Sequence, residues 1–266
     1  MTLPVLLYRS FSRTRALLLS LAAVLVLFQV LVVSAATYLR ETGRLSQFVA
    51  LLPGVVQQMT SGIFAGFGNM VAVGYFHPVV IFVFVGTAIV VASEPAADVE
   101  SGVVDLVLAR PVARWRLVAR SLFMMVLTTT AIAGLMLAAS RLSITFVSSS
   151  DPTVSTRVLA KLAANLVAVA WVMGAVSLAA ASIARRRAPA AGVTGIIALA
   201  LYFLNLLAEI WPRMAPYGPL SPFHYYRATA IIADVGTRWA RDIATLLAGA
   251  SVFSIVAFIA FSRRDL

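Results

Sequence analysis

The chain of 266 residues has no cysteine, one lysine and two histidines, and only 12% of it is charged. Each shortage closes a route. Without cysteine there is no disulfide, thiolate metal site or cysteine redox chemistry. The single lysine, Lys161, follows "TRVLA" rather than a glycine-rich turn, so the chain has no P-loop to cradle a nucleotide. His77 and His224 stand far apart and neither lies in an H-E-x-x-H pattern, which removes the zinc-protease arrangement. The long apolar stretches hold no Asp, Glu, Lys or Arg at their centres. Ion-coupled carriers place such groups at depth as relays or substrate partners, so that class is disfavoured.

What the chain has instead is apolar length. Hydrophobic residues make up 61% of it, against about 45–50% in soluble domains. Charge-free runs cover 16–39, 45–93, 121–140, 162–184, 188–208 and 243–262. Five of these have the roughly 20 residues a helix needs to cross hydrocarbon. The run 45–93 is about twice that length, and its first half carries Gln47, Pro53, Gly54, Gln57 and Gln58. Such a half suits an interfacial or re-entrant helix near 45–67 better than a lipid-facing span. The expected fold is an all-α membrane protein forming one transmembrane domain over 1–266. Its six spans fall at about 16–39, 69–92, 121–147, 159–184, 189–210 and 243–261, with outer loops at 40–68, 148–158 and 211–242.

Residues 2–15 place Leu3, Leu7 and Phe11 on one helical face and Arg9 and Arg13 on another, the pattern of an amphipathic elbow helix at the membrane surface. The first run exceeds the length of a secretory h-region and further spans follow it, so it reads as an uncleaved helix. Arginines concentrate on the side of the two termini, most sharply in the turn Arg185-Arg186-Arg187. The positive-inside rule then puts both termini in the cytoplasm of a multi-pass protein of the inner membrane. The net charge of +11 flanks hydrophobic spans, which points to the lipid bilayer as partner and not to nucleic acid.

Few polar residues lie inside the spans. They suit hydrogen bonds between helices, and Gln29, Thr129, Asn165 and Asn205 are candidates for lining a substrate path. His77, before Pro78, reads as a helix-kink or interface residue. Ser221 and His224 in "LSPFHYY" resemble a nucleophile and base in outline only, with no third group or oxyanion donor beside them. A membrane-bound enzyme or assembly subunit using the loop 211–239 remains one alternative, and an ion-coupled carrier the other.

The segment between spans two and three, 98–116, is the most structured polar stretch. Val99, Val103, Leu106 and Val107 recur as one helical stripe over 98–108, with Asp98, Glu100 and Ser101 at its start, where carboxylates favour the positive helix end. Pro111 ends that helix, and Arg116 and Arg120 form a basic entry to the third span. Here "E-S-G-V-V-D-L-V-L-A-R-P-V-A-R" at 100–114 resembles the signature of permease subunits of ABC-type exporters of the type 2 membrane-domain family, approximately E-x-G-T-L-E-L-L-L-S-x-P-V-S-R. Glu100, Gly102, Asp105, Leu106, Leu108, Pro111 and Arg114 match it, while Val103 and Ala113 replace hydroxyl residues.

The resemblance implies a transmembrane subunit without an ATPase site, forming the substrate pathway with a second copy or close relative. It also implies two cytoplasmic ABC ATPase subunits that bind ATP and Mg. In that arrangement 98–116 is a cytoplasmic coupling helix, with Asp98, Glu100, Gly102, Asp105, Pro111, Arg114 and Arg116 as the ATPase-coupling residues.

Overall fold

A helix continues until its sequence interrupts it, and the first long element of this chain shows the rule. In the computed structural model, which describes residues 3–44, 47, 50, 51, 66–104, 113–147, 155–233 and 238–264, helix α1 (Leu3–Glu41) runs for 39 residues. At 1.5 Å per residue that is about 58 Å, roughly twice the hydrocarbon thickness. No break sets off the expected elbow: α1 is one continuous helix through residues 12–16, since no proline or glycine lies between Val5 and Thr42. Its inner face is a narrow seam of Leu18, Ala22, Leu25, Gln29, Val33 and Ala36, all buried. Spacings of three and four keep such a seam on one side, as in coiled coils.

Further helices among the described residues are α2 (Phe67–Phe76), α3 (Pro78–Ala92), α4 (Glu94–Glu100), α5 (Trp115–Val147), α6 (Thr156–Ile183), α7 (Arg187–Ile210), α8 (Ala228–Ala233) and α9 (Trp239–Ser262). Six membrane-length units result, at Leu7–Glu41, Phe67–Ala92, Trp115–Phe146, Thr156–Ile183, Arg187–Ile210 and Trp239–Ser262. The chain is therefore a multi-pass helical membrane protein by length and composition, and the described residues contain no strand. These six helices overlap the expected spans, with ends that differ by several residues where a helix continues past the last apolar residue into polar sequence. Most of 45–67 and the loop 148–154 lie outside the described residues.

The second span is a broken pair. Pro78 has no N–H and disfavours helical geometry at the residue before it, and His77 accordingly adopts φ −59° and ψ 132°. The Nδ1 atom of His77 accepts the Val79 N–H at 3.3 Å. The Tyr75 carbonyl, which an unbroken helix would pair with that N–H, instead accepts the Tyr226 hydroxyl at 3.0 Å. His77 is thus the kink residue that its position before proline suggests.

Helix α6 lies at the centre, packed against α2, α3, α5, α7 and α9, while α1 packs on α2 and α5. Its inner positions include Ala163, Ala168, Ala170, Ala175 and Ala181. Small side chains let helix backbones approach closely where lipid supplies no hydrophobic drive to associate.

Candidate coupling site at the terminal end of the bundle

The connection between the second and third spans begins as a rigid extension of the bundle. Ser93 ends α3 and Pro95 sits at the start of α4, a position where its missing N–H costs nothing. Along α4, Glu94 and Asp98 are one turn apart and point the same way. Both are buried, at 4% and 5% exposure. They converge on Arg120 of α5, whose Nη2 lies 2.7 Å from Asp98 Oδ2 and 3.3 Å from Glu94 Oε2. The Ser10 hydroxyl of α1 donates to Glu94 Oε2 at 2.6 Å. Two carboxylates, one guanidinium and one hydroxyl therefore clamp α1, α4 and α5 together. Arg120 Nε has no hydrogen-bond partner among the described residues.

A second clamp joins α7. The first N–H of that helix, on Arg187, donates to Glu100 Oε2 at 2.9 Å, so Glu100 places negative charge at the positive end of α7. The Arg187 side chain reaches the other way. Its Nε donates to Ser93 Oγ at 3.0 Å and its Nη2 to the Val90 carbonyl at 2.8 Å, covering the carbonyl end of α3. A cavity of about 460 Å³ opens beside this clamp, bordered by Arg13, Thr14, Glu100 and Arg187.

The third link is backbone-directed. Arg114 Nη1 donates to the Arg264 carbonyl at 2.6 Å, and Arg264 Nη1 donates to the Ser182 carbonyl at 3.2 Å. Both ends of the described chain therefore meet the 93–120 connection at one end of the bundle.

Beyond Glu100 the chain turns sharply. Gly102 has φ +67°, and among the described residues no atom lies within 4 Å of where a Cβ would sit, so backbone conformation favours glycine there. The expected helix over 98–108 is interrupted at Ser101 and Gly102, and its part from Asp105 onward lies outside the described residues. The structure ends α4 at Glu100 and resumes helical geometry only at Val103. Asp98, Glu100 and Ser101 thus close a helix instead of opening one. That position is unfavourable for carboxylates against the helix dipole, and Arg120 and the Arg187 N–H offset it.

The residues singled out from sequence separate into three groups. Asp98 is turned inward on Arg120. Glu100 and Gly102 are exposed, Arg114 and Arg116 half-buried, and the Arg116 guanidinium lies 5.8 Å from the Trp115 ring centre. Asp105 and Pro111 lie outside the described residues. Sequence reasoning missed Ser10, Glu94, Arg120 and Arg187 as members of one network. It also assigned Arg120 to a basic membrane entry, whereas that residue is 3% exposed. The available signal was the one-turn spacing of Glu94 and Asp98 immediately after an apolar run.

Of the four polar residues expected to line a path, three make contacts between elements of the bundle. Gln29 is fully buried, with Nε2 3.5 Å from the Val71 carbonyl, and its carboxamide fills the space where a Cβ on Gly74 would stand. Thr129 donates to the Met125 carbonyl and accepts Trp171 Nε1 at 2.9 Å. Asn165 donates to the Tyr225 carbonyl at 3.0 Å. Asn205 differs, bordering a cavity of about 460 Å³ together with Tyr202, Glu209, Phe223 and Arg227.

The loop 211–239 contains two tight 3₁₀ turns, Ala215–Leu220 and Pro222–Tyr225, followed by α8. The Ser221 hydroxyl donates to the Leu201 carbonyl at 2.8 Å and accepts the Phe223 N–H at 3.2 Å. It is a structural hydroxyl, with its proton committed to a carbonyl. His224 Nε2 lies 3.3 Å from Arg227 Nη2. Burial, and then the Arg227 charge, push the His224 pKa below its ordinary value. No protein-family model and no curated protein matches the sequence.

Proposed function

We propose that this chain is the membrane subunit of an ATP-driven exporter, coupled through the 100–114 segment to a separate cytoplasmic ATPase that holds ATP and Mg. The observation that carries the reading is the buried Glu94–Arg120–Asp98 cluster. It fixes the base of the segment that resembles the exporter signature to α1 and α5, while Glu100 fixes it to α7. A force applied at the exposed turn around Ser101 and Gly102 reaches three spans at once. Coupling of this kind needs a contiguous, packed route between the energy source and the moving elements.

Within this reading the residues divide their work. Asp98 anchors the segment from inside, whereas Glu100, Gly102, Arg114 and Arg116 stand at or near the surface a partner meets. Asp105 and Pro111 complete the signature. Two copies of the chain, or this chain and a close relative, enclose the pathway and meet two ATPase subunits. The absence of a P-loop in the sequence agrees with this division of labour.

The test uses the lack of native cysteine. A cysteine placed at Ser101 is expected to cross-link to a co-expressed ATPase encoded beside this gene, and a cysteine at Tyr217, in the loop 211–239, is not. Charge reversal of Glu100, Asp105 and Arg114 together is expected to abolish co-purification. A folded triple variant that still holds the ATPase would overturn the assignment.

A further inference from the structure

The cavity of about 460 Å³ beside Asn205 is bordered by α7 and by the stretch 223–230, with Phe76 and Ile81 from either side of the His77–Pro78 break also in its lining. Its size falls within the range of small-molecule sites, about 300–1,000 Å³. On α7 the lining is a matter of spacing. Tyr202, Asn205 and Glu209 follow at intervals of three and four, on one helical face. Tyr202 packs edge-on against Phe223 with ring centres 5.4 Å apart, and the Tyr226 hydroxyl is committed to the Tyr75 carbonyl, so these rings are held as walls.

Charge decides what such walls can hold. Asn205 Nδ2 donates to Glu209 Oε1 at 2.9 Å, and because a carboxylate only accepts, the amide nitrogen is the end that faces it. Among the described residues no cation lies within 4 Å of Glu209. Arg227, also in the lining, already stands by the buried Asp242, with Nε 3.9 Å from Oδ2, and its Nη2 meets His224 Nε2. Burial and then the Arg227 charge lower the His224 pKa from its ordinary value of about 6.5, so the ring is neutral at pH 7. Two carboxylates therefore stand against one guanidinium, and one negative charge is left uncompensated at the pocket.

We infer that this pocket is a binding site for an amphipathic organic cation, an arylalkyl ammonium, with its charge at Glu209 and its apolar part among Phe76, Tyr202, Phe223 and Tyr226. Aromatic ring faces attract ammonium groups, and the carboxylate beside them supplies the opposite charge. An organic anion would meet that carboxylate uncompensated. A metal ion would leave the rings unused, and among the described residues no three His, Cys, Asp or Glu side chains stand together to hold one. The inference does not depend on the exporter reading, because binding at this pocket needs neither an ATPase nor transport.

The test compares three probes that share one ring system and differ in charge: naphthylethylamine, naphthylethanol and naphthylacetate. Their affinities for the purified protein in an uncharged detergent are read by equilibrium dialysis at pH 7, corrected for uptake by empty micelles. The amine is expected to bind on the order of tenfold more tightly than the alcohol, and the carboxylate less tightly than either. Glu209→Gln keeps an acceptor for the Asn205 amide, and should bring the amine down to the affinity of the alcohol while leaving the alcohol unchanged. Tyr202→Leu should weaken amine and alcohol alike. Glu41→Gln, which removes an exposed carboxylate at the end of α1, should change neither. An amine that binds the parent no better than the alcohol does, or binds the folded Glu209→Gln variant as tightly as the parent, would overturn the site.

Discussion

The two ends of the bundle are held by different chemistry. At the end where the chain's termini meet, ions do the fastening: Arg120 holds Glu94 and Asp98, and Glu100 meets the α7 N-terminus. At the other end the shorter ties use neutral groups, beside one longer and half-exposed ion pair between Arg227 Nε and Asp242 Oδ2 at 3.9 Å. The Tyr75 hydroxyl pairs with Ser140 at 2.8 Å, Tyr226 donates to the Tyr75 carbonyl, and Asn165 donates to the Tyr225 carbonyl. Hydrogen bonds between neutral groups contribute about 0.5–1.5 kcal/mol each, whereas removing one member of a buried ion pair costs about 3–5 kcal/mol. One end is therefore built to resist separation of its helices, and the other has weaker ties. That asymmetry agrees with the proposed reading, in which the molecule is gripped at one end and opened at the other.

The largest effect is expected at the strong end. Arg120→Ala leaves Glu94 and Asp98 buried without their cation, and should destabilise the protein by about 3–5 kcal/mol, read as loss of folded yield and a lowered melting temperature in detergent. The neutral set Glu94→Gln, Asp98→Asn and Arg120→Met should recover most of that stability, since a buried ion network replaced as a whole is often neutral in effect. Failure of the triple variant to recover would mean that the cluster's worth lies in hydrogen bonds the neutral groups do not reproduce.

A smaller effect is expected at the turn between the ends of the connection. Gly102→Ala forces a side chain into left-handed backbone at a cost of about 1–2 kcal/mol, with no steric clash to add. Gly102→Asn should cost less, because asparagine tolerates that conformation. Equal thermal stability of all three proteins would show that the turn relaxes without penalty.

At the weak end, Tyr226→Phe removes the partner of the Tyr75 carbonyl at the His77-Pro78 break and should cost about 1 kcal/mol. The smallest effect concerns pH. Because the folded state lowers the His224 pKa, the neutral ring is favoured on folding. This group's contribution is fully present above the ordinary value of about 6.5 and is lost as pH falls from there through the lowered folded value. Comparing melting temperatures at pH 7.5 and 5.5, the drop should be smaller in His224→Gln than in the parent. An identical drop would remove His224 from the account.

The six spans were legible because a run of about 20 apolar residues reports directly on transfer into hydrocarbon. The kink at His77 was legible for an equally local reason, the missing N–H of Pro78. The amphipathic face of 2–15 does not by itself set off an elbow, because amphipathicity describes where a helix rests and not where it bends. With no helix breaker between Val5 and Thr42, α1 stays continuous through the junction.

The charge cluster was illegible for a different reason. Asp98 and Arg120 are separated by 22 positions, and nothing local distinguishes an arginine that enters the interior from one that faces headgroups. Arg116 and Arg120 look alike in sequence, one turn apart on one helix, yet only packing against α1 and α4 decides that Arg120 is buried.

The central claim is that the cluster transmits motion from the 100–114 segment to the spans. The direct measurement is the distance between spin labels on cysteines at Phe146 and Tyr217, both exposed, in a complex with the proposed ATPase, with and without a non-hydrolysable ATP analogue. The account predicts that nucleotide shifts the distance distribution in the otherwise native chain. The shift should vanish in the folded, ATPase-bound variant carrying Glu94→Gln, Asp98→Asn and Arg120→Met. An undiminished shift in that variant would contradict it.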